Sequence, residues 1–198
     1  TSVTGVQTCA LPILKLTNPT CKIALITNDV VDDKYKVLYD HIVDIPWKDE
    51  AENSTWKIEN RWKIYHATPF DETAVIDTDM LFLSDISHWY DLLKTKNVYY
   101  VNRVLTYRGE VADNTYYRKA FRNHNLPNLY AGFHWFKKSD QAHEFFKWVE
   151  TIMHNWELFY GQYAGGKYFQ KWPSVDVSSA IAAKVLQCRS EEHTSELQ

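Results

Sequence analysis

TAVIDTDMLFL, Thr73 to Leu83, decides how the rest of the chain is read. The apolar segment Thr73 to Ile76 runs into Asp77, and a second carboxylate follows at Asp79 before the apolar run Met80-Leu81-Phe82-Leu83. A short apolar run closed by polar residues has the pattern of a buried strand. Side chains alternate along a strand, so Asp77 and Asp79 are expected to project from one side while Thr78 points away. Two carboxylates that close repel, and burial adds to the cost, unless a proton or a cation resolves the conflict. A hard divalent ion resolves it and keeps positions open for water and for a substrate's phosphates. Asp-x-Asp is also a common solvated turn, and that plain role stands beside the metal-binding one.

The flanking segments alternate in type. KIALITND, Lys22 to Asp29, reads as a buried parallel strand, DKYKVLYD, Asp33 to Asp40, as a short helix, and HIVDIPW as a strand. Ser54 to Pro69 predicts a helix capped by Ser54, with Ile58, Trp62 and Tyr65 at helical spacing. SDISHWYDLLK, Ser84 to Lys94, predicts a capped helix, NVYYVNRVLTY a strand, and NTYYRKAFRNHN a helix. NLYAGFHWFKK, Asn128 to Lys138, predicts a strand. Ser139 to Phe159 is the longest amphipathic segment, with Phe145, Trp148, Val149 and Ile152 on one stripe; Pro173 to Leu186 predicts a last helix. This alternation implies an α/β domain with a mostly parallel sheet flanked by helices. Ligands of such open sheets bind at the carboxyl ends of the strands, where the acid pair stands.

The two ends are expected to be foreign. Read back into codons, the tail RSEEHTSELQ (Arg189 to Gln198) has a reverse complement that encodes TGVQTCALPI, Thr4 to Ile13, and the DNA resembles a sequencing adapter. Residues 1–13 and 189–198 are therefore read as translated adapter and 14–188 as one partial domain. Without Arg189, Glu191, Glu192 and Glu196 the formal charge of −3 comes close to neutrality. That gives no electrostatic case for a nucleic acid or an anionic membrane. No apolar run has membrane-spanning length. Cys21 and Cys188, the cysteines outside the adapter, lack pairing or metal spacing, and a reducing, cytoplasmic setting is expected.

ENRWKIYHATPFDETAVIDTDMLFLSDISHWYDLL resembles the donor-site segment of GT-A glycosyltransferases, the nucleotide-diphospho-sugar transferases, particularly glycosyltransferase family 8 and its relatives. The matching features are Arg61, the apolar TAVI, Asp77-Thr78-Asp79, MLFLSD and ISHWYDLL. The resemblance implies a GT-A-like sheet, a Mn²⁺ or Mg²⁺ ion on Asp77 and Asp79, and a nucleotide-sugar donor, UDP-linked in most of the family. It makes Asp79 the principal metal ligand, lets Asp77 share the metal and face the ribose, and brings Arg61 to the donor; a plain surface ion pair is the other role open to Arg61. Such a cation would act as a Lewis acid while the nucleoside diphosphate leaves the sugar.

NLYAGFHWFKK resembles the family's Asn-x-Gly strand beside the donor sugar. Gly132 fits, because glycine lets backbone approach a ligand closely, but Tyr130 stands where the Asn is expected. KWPSVDVSSAIAAK places Asp176 where the family carries a sugar-orienting acid, although an acid at a helix start is also favoured by the dipole. Asn102 is a further candidate for the cleft or for a turn, and His66, His88 and His134 read as structural or surface histidines.

The expected activity is thus a metal-dependent hexosyl-type transfer in the parent protein, weak or absent in this chain. The family's first strand and its C-terminal His-x-x-Gly-x-x-Lys-like segment are not found in the sequence. The acceptor is left open among glycan, lipid and protein. Two other classes compete: a domain that binds a sugar nucleotide or glycan without transfer, and a haloacid-dehalogenase-type phosphatase with Asp77 as nucleophile. The Met80-Leu81 that follows the acid pair departs from the latter's usual pattern.

Overall fold

The computed structural model describes residues 12–51, 59–106, 108–112, 118–165 and 170–186. A short helix over 12–17, α1, leads into strand β1 (Ala24–Ile26), helix α2 (Asp33–Lys36) and strand β2 (His41–Val43). The two strands pair in parallel, Ala24 opposite His41 and Ile26 opposite Val43. Asp32 begins α2 by accepting the amide N–H of Lys34 at 3.1 Å. The start of the helix expected from Ser54 lies outside the described residues. Its later part is a 3₁₀ turn, Arg61–Lys63, running into helix α3 (Ile64–Ala67), with Trp62 and Tyr65 buried as their spacing predicts.

Next come β3 (Glu72–Ile76), helix α4 (Ser87–Leu93) and β4 (Val98–Val101). Ser84 does not cap α4; Asp85 does the local bonding, accepting the Ser87 amide at 2.8 Å. Helix α5 (Lys119–Asn123), strand β5 (Tyr130–Lys137) and helices α6 (Asp140–His154), α7 (Trp156–Ala164) and α8 (Val175–Val185) follow. Ser139 caps α6 by accepting the Ala142 amide at 3.2 Å. The long amphipathic segment is two helices and not one. Asn155 leaves the helical region (φ −118°, ψ 40°), and its side chain donates to the Thr151 carbonyl at 2.9 Å, ending α6 before Trp156 restarts the chain as α7.

The expected mostly parallel GT-A-like sheet is not what the chain forms. The larger sheet has the order β3-β5-β4 and is antiparallel throughout, and β1 and β2 make a separate parallel pair. The reason is where β5 inserts. Because β3 and β4 both run against β5, they are parallel to each other, so β3-α4-β4 is the crossover unit that the alternation implied. β5 then fills the gap between them from the opposite direction. Periodicity identifies a strand without saying which gap it enters.

Side chains of β5 serve two cores. Phe133 and Trp135 pack with Phe82, Ile86 and Leu93 on the α4 side, while Phe136 packs with Tyr65, Phe145 and Phe146 on the α6 side. Stripe residues Phe145, Val149 and Ile152 of α6 are buried, spaced as a core-facing helix requires. α8 is buried on nearly every side, and its small Ser178, Ser179, Ala180, Ala182 and Ala183 allow it to lie close to α6 and β5. A cleft of about 1750 Å³ separates the two sheets, lined by Ala24 to Thr27 on one side and Glu72 to Asp79 on the other. No helix among the described residues is long and apolar enough to cross a membrane.

Candidate functional site

β3 stops at Ile76, but the Asp77 amide adds one more rung by donating to the Gly132 carbonyl at 2.9 Å. The Met80 amide then donates to the Asp77 carbonyl at 3.1 Å, closing a turn over Asp77 to Met80. Strand alternation therefore ends at Asp77. Asp79 belongs to the turn, where it is exposed, so the acid pair is arranged by turn geometry and not by the pleat. This corrects the expectation that alternation aligns the two side chains.

One oxygen of Asp77 accepts from the Arg61 guanidinium, contributed by the 3₁₀ turn; both side chains are about one-third exposed. The other oxygen faces Gly132, where a Cβ would lie 2.9 Å from Oδ2. A methyl group would collide there, so the glycine is what permits the contact. Gly132 sits in an irregularity of β5. The register against β4 jumps from Tyr100–His134 to Val101–Tyr130, while pairing with β3 continues through Ile76–Phe133. Bulges of this kind re-aim groups beside functional sites. Here His134 braces it from within, Nδ1 donating to the Ala131 carbonyl at 2.9 Å. His134 is buried and stacks on Tyr100 with ring centroids 4.6 Å apart, and burial pushes its pKa down to about 4. It is the structural histidine the sequence implied; His66 and His88 are exposed.

The same bulge reaches the second acid. Asp176, in the first turn of α8, accepts the Ala131 amide at 2.9 Å through Oδ1 and the Arg118 guanidinium through Oδ2. Arg118 also donates to the Leu129 carbonyl at 2.6 Å and lies 3.6 Å over the Tyr130 ring. Tyr130 in turn donates its hydroxyl to the Ala112 carbonyl at 2.6 Å. The residue that departs from the family's Asn is thus a platform for a guanidinium.

Arg61, Asp77, Gly132, Arg118 and Asp176 converge on one cleft of about 1070 Å³. Asp79 borders the inter-sheet cleft instead, together with Asp77 and Arg61. Asn102 stands apart: Val101 and Arg103 line the smaller cleft, whereas Asn102 between them buries Oδ1 without a hydrogen-bond partner. Asn102 lies just past the end of β4, after the register jump between Tyr100 and Val101, so its direction is set by the loop and not by the strand. Arg118 escaped sequence reasoning. It is one basic residue in a helix-like segment, and it meets Asp176 only through the tertiary fold.

Asp77 and Asp79 supply hard carboxylate oxygens, the donor type that suits Mn²⁺ or Mg²⁺, and the missing Cβ at Gly132 leaves Oδ2 of Asp77 its room. Among the described residues no group of three or more His, Cys, Asp or Glu gathers to hold a metal. An ion on these two carboxylates would therefore take its remaining ligands from water and substrate, the usual habit of Mg²⁺ at phosphate sites. Comparison of the chain with protein-family models, with curated proteins and with solved structures finds no match.

Proposed function

We propose that the parent protein is a metal-dependent hexosyl-type glycosyltransferase using a nucleotide-sugar donor, UDP-linked by the resemblance of the segment around Asp77. The observation that carries the reading is the strand-end carboxylate of Asp77, set against a glycine that no other residue can replace without contact and opening onto two clefts. Asp77 and Asp79 would hold the cation, which when bound supplies positive charge for a diphosphate. Arg61 keeps Asp77 oriented and offers planar N–H donors to phosphate or sugar oxygens. Gly132 gives Oδ2 of Asp77 its room beside the cleft, so the carboxylate and not the donor occupies the space a Cβ would take. Asp176, fixed by Ala131 and Arg118, orients the sugar ring. In the transfer, an acceptor oxygen bonds the anomeric carbon as the bond from that carbon to the diphosphate breaks. The bonding pair departs with the nucleoside diphosphate, and the hydroxyl proton is released to solvent. The free thiol of Cys21 suits the cytoplasmic setting that belongs to this reading.

The test is a thermal-shift screen of nucleotide sugars with Mn²⁺ on this chain, joined to turnover assays on the parent protein. Asp79→Asn and chelator should each remove the metal-dependent shift and at least about a hundredfold of the turnover. Full-rate turnover in chelator overturns the reading. The Arg61–Asp77 ion pair favours a second reading, a domain that binds a donor and does not transfer it, because one carboxylate oxygen is already engaged. Donor binding without turnover in the parent would establish that alternative, and a trapped aspartyl-phosphate at Asp77 would establish the phosphatase.

A further inference from the structure

The inter-sheet cleft is walled on two sides by backbone. Pairing alternates along a strand, and with Thr27 bonded to Val43 and Asp77 to Gly132, the N–H and C=O groups left over belong to Ala24 and Ile26 on one wall and to Ala74 and Ile76 on the other. The two walls run the same way. At one end the His41 ring, opposite Ala24 at the start of β2, packs on Phe70 just before β3, with ring centroids 5.4 Å apart. At the other, Asn60 donates to the carboxylate of Asp49, beyond β2, and its neighbour Arg61 pairs with Asp77 at the end of β3. The leftover groups therefore face each other across a slot one strand long. Its two remaining sides are apolar. Leu14, Phe82 and Ile86 line it from the core that Ala74 and Ile76 join, and Ile64 lines it from the core that Val75 joins.

We infer that this slot receives one extended apolar segment of a separate polypeptide, which pairs with β1 and β3 at once and joins the two sheets in the order β2-β1-segment-β3-β5-β4. Alternating N–H and C=O groups on both walls are matched by extended backbone, which presents the same groups to either side. Apolar layers above and below select an apolar run, the composition of a strand covered on both faces. There is room for it. A packed strand residue occupies about 160 Å³, from about 3.3 Å of rise, about 4.8 Å between strands and about 10 Å between layers, so a segment of five residues, the length of β3, takes up about half of the cleft's 1750 Å³. A folded second copy does not fit, because each of its described strands already lies in a sheet and has at most one edge to offer, whereas the slot needs two. The segment stops short of Asp77, so the carboxylates stay at the mouth of the cleft and the metal reading does not depend on it.

The probe is a fluorescent peptide of alternating Val and Ile, five apolar residues between two lysines, titrated against the full chain with no nucleotide sugar or metal present. Two further versions carry N-methyl groups, one on the odd apolar residues and one on the even, so each silences the amides of one edge. A segment held between two strands uses both sets, and each methylated version should bind about tenfold or more weaker than the parent peptide. A version with serine at every apolar position should not bind. In the complex the amides of Ala24, Ile26, Ala74 and Ile76 should exchange with solvent about tenfold or more slowly. Full-strength binding of either methylated version overturns the proposal, since it means a strand added at one edge only. So do equal binding of the serine version, protection confined to one wall, or the absence of saturable binding by the parent peptide. The protein is unchanged in every arm, so no result turns on whether a variant folds.

Discussion

Gly132 shows how much a single hydrogen atom in place of a methyl group can decide. Gly132→Ala puts a Cβ 2.9 Å from Oδ2 of Asp77, whose other oxygen is held by Arg61. The backbone there needs no glycine-only conformation, since the positive-φ glycine recorded for this chain is Gly109. The substitution should therefore cost only about 1 kcal/mol of stability, because the short side chain can yield by a few tenths of an ångström. Displacing a carboxylate that far matters more to chemistry than to folding. Donor-dependent activity of the parent should drop roughly tenfold or more, with the denaturant midpoint little changed. A large stability loss with activity retained would mean that Asp77 moves freely and is not a positioned group.

Among the elements, β5 carries the most, because its bulge ties Asp77 to Asp176 and His134 braces the bulge from within. The pKa of His134 lies near 4 in the folded chain and near 6.5 when unfolded, its burial being the main cause. The sign follows directly. Below about pH 6.5 the unfolded chain takes up a proton that the folded chain refuses, so stability falls as pH drops from about 6.5 to about 4. The loss over that window is on the order of 3 kcal/mol. In His134→Phe, pH-dependent denaturation should lose that part of its acid slope, although the absolute stability also falls with the bond to Ala131. An unchanged slope would show that His134 titrates normally. The apolar runs around β1, β3, β4 and β5 were legible from the sequence, as was the stripe on α6, because burial imposes periodicity on local residues. The partners of β5, the break at Asn155 and the Arg118–Asp176 pair were not, since each depends on a contact or a turn that no local period records. The same limit explains why Asp77, Asp176 and Gly132 could be named one by one, while their joining through the bulge could not.

For the molecule as a whole, the separation of the two sheets has a consequence for behaviour in concentrated solution. Thr27 donates to Val43, so Leu25 and Thr27 spend their amides on β2, and the amides of Ala24 and Ile26 point toward the inter-sheet cleft. By the same count from the Asp77–Gly132 rung, Ala74 and Ile76 of β3 point into that cleft from the other side, and no described strand pairs there. Two ribbons with vacant margins form a template that another extended chain can zip onto, and the nearest supply is a neighbouring molecule. Sedimentation velocity at roughly tens of micromolar should show association that grows with concentration. Ile26→Pro, which deletes one outward amide and spares the bonds to β2, should suppress it. A chain that stays monomeric throughout would show that those margins are already satisfied. Otherwise the groove between the sheets sets a practical ceiling on how crowded these molecules can become before they begin to stitch together.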